Sequence, residues 1–478
     1  MDSLVIQSVK VRGRPLQRTL EPRRKRIHSS KRSGSRKSKH HDHFYQKLYG
    51  SSSRPVKTAS MLAMMIASPF FIVFLWYTMV KADGSVEKAY RHFYTNGIRA
   101  FKETWPYPSL RACKLLGAFS TFEALLQILL PGERFLGPST PAGNRPFYKK
   151  NGVPCFLTTL GVYYLLWREK WFNPSFVYDI IGEIYSTLIC MTYLVTVLLY
   201  MKGHMAPSSS DWGSSGNPLV DFFWGMELYP RITRSLDIKV FMNCRFGIMG
   251  WAILVISFAI KQHESQGKVS DSLMVSSLLM LIYITKFFWT EAAFWCSMEI
   301  AHDRAGWFVT YTCLTWIPVV YSSVNLYLVT HPIQLGKGVA MTIFLFGMFC
   351  IYVVWDCDRQ RQLFRHTHGK CRIWGRIPTK IQAHYQTEWG EHKKSLLLTA
   401  GWWGLARHIH YAPEIGAAFF WTLPALFKHA MPYFYVAFLT ALLIDRANRD
   451  DKNCKLKYHK YWEAYSKKVR FKILPKIF

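Results

Sequence analysis

Between Leu396 and Tyr411 the chain reads LLLTAGWWGLARHIHY, a run whose residue types suit ligand binding. Gly401-Trp402-Trp403-Gly404 is followed closely by Arg407, His408, His410 and Tyr411. Glycines beside an indole pair let backbone approach a flat ligand closely. Arginine and two histidines offer charge and hydrogen bonds to an anion. The same composition also suits a membrane-surface turn, where Trp and Arg anchor at the lipid boundary.

Two further stretches extend this chemistry. Arg361 and Arg365 are four apart, so on a helix they share a face, and paired guanidiniums suit a phosphate. Snorkelling arginines at a helix end would give the same spacing. From Arg449 to Tyr465 acids, bases and aromatics mix: Asp450, Cys454, Lys455, Leu456, Lys457, Tyr458, Trp462 and Tyr465. Asp450 suits a ribose hydroxyl or a carboxamide, and Tyr465 suits stacking on a base. No GxGxxG follows a strand pattern, so a bound dinucleotide is expected against helices and loops. A third stretch, TKFFWTEAAFWCSMEIAHDRAGW from Thr285 to Trp307, holds Lys286, Glu291, Glu299, His302, Asp303 and Arg304 among aromatics. Ionisable groups at membrane depth are costly and face a cavity or each other. Read as one wall of a polar pocket, the run offers Glu291 or Asp303 as a proton donor or relay, with Tyr411 as a rival from the other side. Internal pairing, for example Glu299 with Arg304, is the simpler reading of each residue. The ten cysteines are scattered without a CxxC pair, so neither a disulfide framework nor a metal site is expected.

The elements that must position these groups are apolar helices. Half of the 478 residues are hydrophobic and 16% are aromatic, with a formal charge of +32. Residues 1–57 form a basic, Ser-rich tail, expected to be disordered. Its clusters, Arg23 to Arg26 and Lys31-Arg32, lack interleaved aromatics, which favours anionic lipid over nucleic acid. Uncharged runs then predict spans near 58–80, 112–131, 153–168, 177–201, 246–260, 272–290, 307–329 and 338–355, the third and fifth short. A last apolar pair, 414–427 and 431–444, is broken by Pro432 and suits a tilted or re-entrant hairpin. The expected fold is all-α: a polytopic bundle of nine or ten spans over residues 58–478, its cofactor part at about 338–478. The positive-inside rule and span parity then put the tail and both basic C-terminal segments in the cytosol.

These stretches resemble the sterol reductases. LLLTAGWWGLARHIHY matches that family's glycine-tryptophan and Arg-His signature, GNPLVDFFWGMELYPR from Gly216 a second, and RDDKNCKLKYHKYWEAY from Arg449 a third. The resemblance runs from about Thr58 to Phe478, with all three motifs in order. It is strongest to the branch acting on the 7,8 double bond, through GPSTPAGNRPFYKKNG, KGHMAPSSSDWG and YLVTHPIQLG. It implies an endoplasmic reticulum enzyme that reduces a 5,7-diene sterol with NADPH. By motif it also implies cofactor contacts at Arg361, Arg365, Leu398, Trp403, His410, Tyr411, Asp450, the run Cys454 to Tyr458, and Tyr465. Four residues depart from the family pattern: Tyr229 and His410 where Asn is frequent, Asp445 where His or Arg is, and His459 where Gly is usual. All four read as surface-compatible. A reductase of the 14 or 24(28) double bond, or a non-catalytic sterol-binding membrane protein, remains an alternative.

Overall fold

A computed structural model describes residues 54–140, 142–233, 236–386 and 392–477. The tail expected over 1–57 lies outside these residues except for its last four, which open the first helix. That helix, α1 (Arg54–Val80), precedes α2 (Val86–Thr104), α3 (Leu110–Leu129), α4 (Gly152–Arg168), α5 (Ile181–Met205) and α6 (Ile238–Gln266). Then follow α7 (Asp271–Trp289), α8 (Trp307–Thr330), α9 (Lys337–His366), α10 (Tyr411–Thr422), α11 (Phe434–Tyr458) and α12 (Lys460–Lys468).

Among the described residues, seven helices are long and apolar enough to cross a membrane: α1, α3, α5, α6, α7, α8 and α9. The nine or ten expected crossings therefore reduce to seven by length and composition. The third expected span is α4, whose 17 residues reach about 25 Å, short of a bilayer core of about 30 Å. The last apolar pair becomes α10, a turn containing Pro432, and α11, whose second half is polar. The fifth span, expected to be short, is instead 29 residues long. Its first turns carry Lys239, Asn243 and Arg245, which hide it from an apolar scan.

Local signals set the helix ends. Ser109 and Ser270 cap α3 and α7, accepting from the Ala112 and Leu273 amides. Gly267, left-handed at φ 73°, stops α6. Both α6 and α8 pass through a π-helical stretch, Phe241–Ile248 and Thr312–Tyr321, the second around Pro318. The stretches touch where Gly247 meets the Cys313 carbonyl, 2.5 Å from where a Cβ would sit. Such stretches realign side chains within a helix.

The all-α expectation needs one amendment. Between α9 and α10 lies the antiparallel hairpin β3 (Lys380–Gln386) and β4 (His392–Leu398), in register from Lys380 opposite Leu398 to Gln386 opposite His392. A smaller hairpin, β1 (Glu133–Leu136) with β2 (Phe147–Lys150), precedes α4.

Candidate cofactor and active site

The last turns of α9 hold the Gly-Trp-Trp-Gly segment. Asp356 Oδ2 accepts from Gln360 Nε2 and from Trp402 Nε1, each at 2.8 Å. Gln360 Oε1 accepts the Trp402 amide at 3.1 Å, and Trp403 Nε1 donates to the Cys357 carbonyl at 2.9 Å. Gly401 sits at φ +64°, and a Cβ there would lie 2.2 Å from Gln360 Oε1. Its close approach is therefore to α9, not to a ligand.

This lattice fixes the Trp403 ring 5.2 Å beneath the Arg361 guanidinium. The His410 ring lies 4.9 Å from Trp403 and 4.3 Å from Tyr411, and His408 stacks on Tyr411 at 5.3 Å. Arg365, four residues beyond Arg361, lies within electrostatic reach of it, of Tyr458 and of Cys296. Among the described residues neither guanidinium has a carboxylate partner, which leaves their charge for an anion.

The C-terminal motif folds onto the same place. Arg407 Nε lies 3.3 Å from Asp451 Oδ1, and His408 Nε2 lies 3.6 Å from Asp450 Oδ2. Arg407 Nη1 also donates to the Val469 and Arg470 carbonyls at 2.8 and 3.0 Å. The Arg407 and His408 amides donate to the Phe471 and Lys472 carbonyls, zipping the C-terminal segment alongside. Trp462 Nε1 donates to Asp451 at 3.1 Å, and Cys454 Sγ to Asp450 at 3.8 Å. The β3–β4 hairpin backs both halves. Leu398 packs with Trp403 and Phe364, while Leu397 and Ile381 pack with Trp462, Tyr465, Cys454 and Tyr458.

Of the contacts that the resemblance implied, the fold brings Arg361, Arg365, Leu398, Trp403, His410, Tyr411, Asp450, Cys454, Tyr458 and Tyr465 around one region. Lys457 Nζ lies 4.6 Å over the Tyr385 ring of β3, and Lys455 and Leu456 are exposed on the outer side of α11. Burial pushes the His408 imidazole below its ordinary range, against the pull of Asp450. His410 is pushed further down, by burial and then by the charges of His408, Arg361 and Lys286. Both rings are neutral near pH 7 and offer hydrogen-bonding edges instead of charge. His408 Nε2 and His410 Nδ1 are buried without hydrogen-bond partners among the described residues. Burial raises the Tyr411 phenol, and Asp450 adds to that.

The acidic run from Thr285 to Trp307 divides into two places. Glu291 is fully buried and ion-paired with Arg245 at 2.5 Å, while also accepting the Gly152 amide at 3.0 Å. Arg245 Nη2 reaches Asn151 Oδ1 at 3.0 Å, completing an internal lattice. Asp303 instead adjoins the C-terminal motif. Burial raises its carboxyl above the ordinary range, opposed by Lys239 and Arg449. Its backbone carbonyl accepts Lys239 Nζ at 2.6 Å, and Glu299 pairs with Arg446 of α11. Arg304, paired with Glu299 on paper, donates to the Gly213 carbonyl at 2.7 Å.

Sequence reasoning passed over Asp356, Gln360, Asp451 and Glu414. Asp356 and Gln360 had a signal in their four-residue spacing on α9. Glu414 was the lone acid in an apolar arm, which is itself a signal.

A profile of the Ergosterol biosynthesis ERG4/ERG24 family matches residues 54–478. The chain belongs to that family. It is 56% identical over 425 residues to the 7-dehydrocholesterol reductase of Arabidopsis thaliana, covering 89% of this chain and 98% of that protein. It is 32% identical to the 7-dehydrocholesterol reductase of Danio rerio, over 88% of this chain and 91% of that one. It is also 32% identical to the Delta(14)-sterol reductase of Methylotuvimicrobium alcaliphilum, over 88% of this chain and 95% of that one.

Within the family pattern, two of the four departures, Tyr229 and His410, are not the surface swaps expected. Tyr229 is buried in the core with Tyr148 and Trp295, under the Lys239 ammonium at 5.3 Å. His410 lies inside the site. His459 joins α11 to α12 at φ 48°, ψ −123°, a conformation that favours glycine. His459 and Asp445 are both exposed, and Asp445 pairs with Arg449 at 2.7 Å.

Proposed function

We propose that this chain reduces the 7,8 double bond of 5,7-diene sterols, using NADPH, as a multi-pass enzyme of the endoplasmic reticulum membrane. The cofactor site would face the cytosol, as the basic charge of α9, α11 and the segments around them favours. The observation that carries the reading is the meeting of Arg361, Trp403, His410 and Tyr411 with Asp450 and Asp451 through Arg407 and His408. The higher identity to a 7-dehydrocholesterol reductase than to a Delta(14)-sterol reductase favours the 7,8 bond over the 14 bond.

The residues fit a pyridine dinucleotide. Arg361 and Arg365, without carboxylate partners among the described residues, suit its phosphates. Trp403 and Tyr465 suit its rings, and Asp450 a ribose hydroxyl or the carboxamide. His408 Nε2 and His410 Nδ1, without hydrogen-bond partners among the described residues, offer positions that water or a ligand would complete. Leu398 and the run Cys454 to Tyr458 would frame the pocket. When bound, NADPH would supply hydride.

An isolated alkene accepts hydride poorly, so the protein must first protonate it inside a dry apolar chamber. Glu291 is held by Arg245 and reads as a brace. Asp303 and Tyr411 read as groups at the cofactor edge that orient it and keep it dry.

Expression in yeast accumulating 5,7-diene sterols tests the reading: the diene should disappear from the sterol profile. Persistence of the diene with loss of 14- or 24(28)-unsaturated sterols would replace it with the other specificity. Purified protein should bind NADPH, and Arg365→Ala should weaken binding about 10- to 100-fold, the worth of one charged hydrogen bond. Wild type that binds sterol but no NADPH would point to a non-catalytic sterol-binding protein.

A further inference from the structure

A cleft of about 440 Å³ opens where α1 ends and where α3 and α5 begin, a volume that suits a small ligand. It lies on the face of the bundle away from the proposed cofactor patch. Gly84, just past α1, packs on Tyr327 near the end of α8. Ile333, just past α8, donates through its amide to Ser272 at the start of α7 at 3.1 Å. Asp271, also at the start of α7, accepts the Gly336 amide at the start of α9 at 3.1 Å. The cofactor patch sits on the last turns of α9, a helix of 30 residues and so about 45 Å long.

The polar groups that line this cleft are out of balance. Its acceptors are taken: Glu183 accepts from Arg111 Nε at 2.8 Å, and Asp179 from Lys261 Nζ at 2.6 Å. The Tyr107 hydroxyl donates to the Lys102 carbonyl at 3.3 Å. Two donors are left over. Among the described residues Lys81 has no carboxylate partner, and the nearby Asp83 pairs with Lys88 at 2.9 Å. Trp76 is 8% exposed, and its Nε1 is buried without a hydrogen-bond partner among the described residues. That edge of the indole meets the cleft wall, because a Cβ on Gly182 would lie 2.8 Å from Trp76 Cε2 and from Pro106. A buried N–H left unsatisfied is costly, so this one calls for an acceptor. The two ion pairs cancel, which leaves Lys81 as the net charge. Tyr107 and Leu110 beside the cleft are exposed, and α2, which leads into it, presents Val86, Tyr90 and Tyr94 outward at four-residue spacing. Such side chains on a helix joining two spans belong at the level of the lipid headgroups.

We propose that this cleft binds the phosphate of an anionic phospholipid, drawn from the leaflet opposite the cofactor patch. A phosphate oxygen accepts the Trp76 Nε1–H, and the Lys81 ammonium neutralises the charge. The Arg111–Glu183 pair, which already holds α3 to α5, forms one wall. The acyl chains leave past Tyr107 and Leu110 into the bilayer. An anion is favoured over a sterol hydroxyl or a choline group because the groups left unpaired are donors alone and carry positive charge. A bound headgroup joins the ends of three spans, and a ligand that binds only the folded state raises its stability. The site does not depend on which sterol the chain acts upon.

The test uses the full chain in nanodiscs of phosphatidylcholine, with or without a minor share of phosphatidylglycerol. Thermal melting and the lipid retained in native mass spectrometry are the readouts. Wild type should melt higher with phosphatidylglycerol and retain that lipid. Lys81→Gln should weaken its binding about 10-fold, the worth of one charged hydrogen bond. Trp76→Phe keeps a ring and removes the N–H, and should weaken it by about 3- to 10-fold. Lys81 is exposed, so its variant keeps the fold even where Trp76→Phe does not. Lys170→Gln removes the same charge from an exposed position in the loop leading to Asp179, and should leave the lipid effect intact. NADPH affinity should stay the same in every variant, since α9 separates the two sites. A lipid effect that Lys81→Gln retains, or that Lys170→Gln loses equally, would overturn the site in favour of diffuse surface charge. The same rise in melting temperature from inorganic phosphate in phosphatidylcholine alone would overturn the lipid as its source. Wild type indifferent to phosphatidylglycerol would overturn the proposal outright.

Discussion

Glu291→Gln separates a brace from a catalyst. Both members of the Arg245–Glu291 pair are almost fully buried, at 1% and 0% side-chain exposure. Removing the carboxylate charge leaves the Arg245 guanidinium without its counter-ion in a low-dielectric interior. Breaking such a pair costs about 3–5 kcal/mol, a shift of ~10²- to 10³-fold or more in the folding equilibrium. Glutamine still accepts from Gly152 and Arg245, so the lower half of that range applies. The double substitution Arg245→Met, Glu291→Leu removes both charges at similar volume and should recover most of the stability. The assay is a thermal melt of each variant in detergent, read beside turnover per folded molecule. The brace reading expects a large loss of melting temperature in the single variant. It also expects near-normal turnover in the fraction that stays folded, and recovery in the double variant. A Glu291→Gln protein that melts like wild type but turns over a hundredfold slower would refute the reasoning and restore Glu291 as the acid.

Three other substitutions probe the site. His410 is held neutral by burial, its folded value depressed, so its contribution to stability is complete above the unfolded imidazole value of ~6.5 and declines as pH falls below it. His410→Asn should keep NADPH binding and flatten the fall in melting temperature between neutral and acid pH. His459→Gly should raise stability by about 1 kcal/mol, because it relieves a positive-φ strain of about 1–3 kcal/mol while adding unfolded-chain entropy; a melt that falls would contradict the strained junction. Gly401→Ala should displace the loop, because its methyl would overlap Gln360 and Ile373. Trp403 fluorescence quenching by NADPH should fall with it, and an unchanged titration would show the approach is not needed.

What the sequence disclosed and what it concealed follow from the kind of contact involved. Arg361 and Arg365 were legible because a helix repeats every 3.6 residues, so four-residue spacing declares a shared face. The run LLLTAGWWGLARHIHY was legible by composition, although its glycine was assigned the wrong neighbour. The β3–β4 hairpin escaped because Lys380, His384, His392, Lys393 and Lys394 face water, and the buried sides rest on Ile381, Ala383 and the run Leu396 to Leu398. Its fold depends on pairing across residues 387–391, not on a period within either strand. The start of α6 escaped for a different reason. Lys239 is satisfied by the carbonyls of Ile300 and Asp303, and Arg245 by Glu291, partners that linear inspection cannot supply. Tyr283 and Glu414, separated by 131 residues, gain meaning only from each other.

The helix α10 ties these parts into one device. It is 12 residues long, about 18 Å, so it carries the chain from the proposed cofactor patch into the bundle and stops. At its start, His410 and Tyr411 stand beside Trp403. One turn on, Glu414 meets Tyr283, and two turns further Trp421 joins Tyr283 and Trp251 in an aromatic group. Its base is fixed by Arg407 and His408 against the C-terminal segment. Beyond its far end, His429 Nδ1 pairs with the Tyr327 hydroxyl at 2.9 Å. Gly84 packs so closely there that a Cβ would lie 2.4 Å from Tyr327. A helix fixed at its base keeps a constant distance between the proposed cofactor patch at its start and the aromatic group at its far end. Reduction of an alkene in two unlike steps needs that constancy more than it needs any one strong contact, because misplacing either reagent by 1 Å costs about a hundredfold in rate.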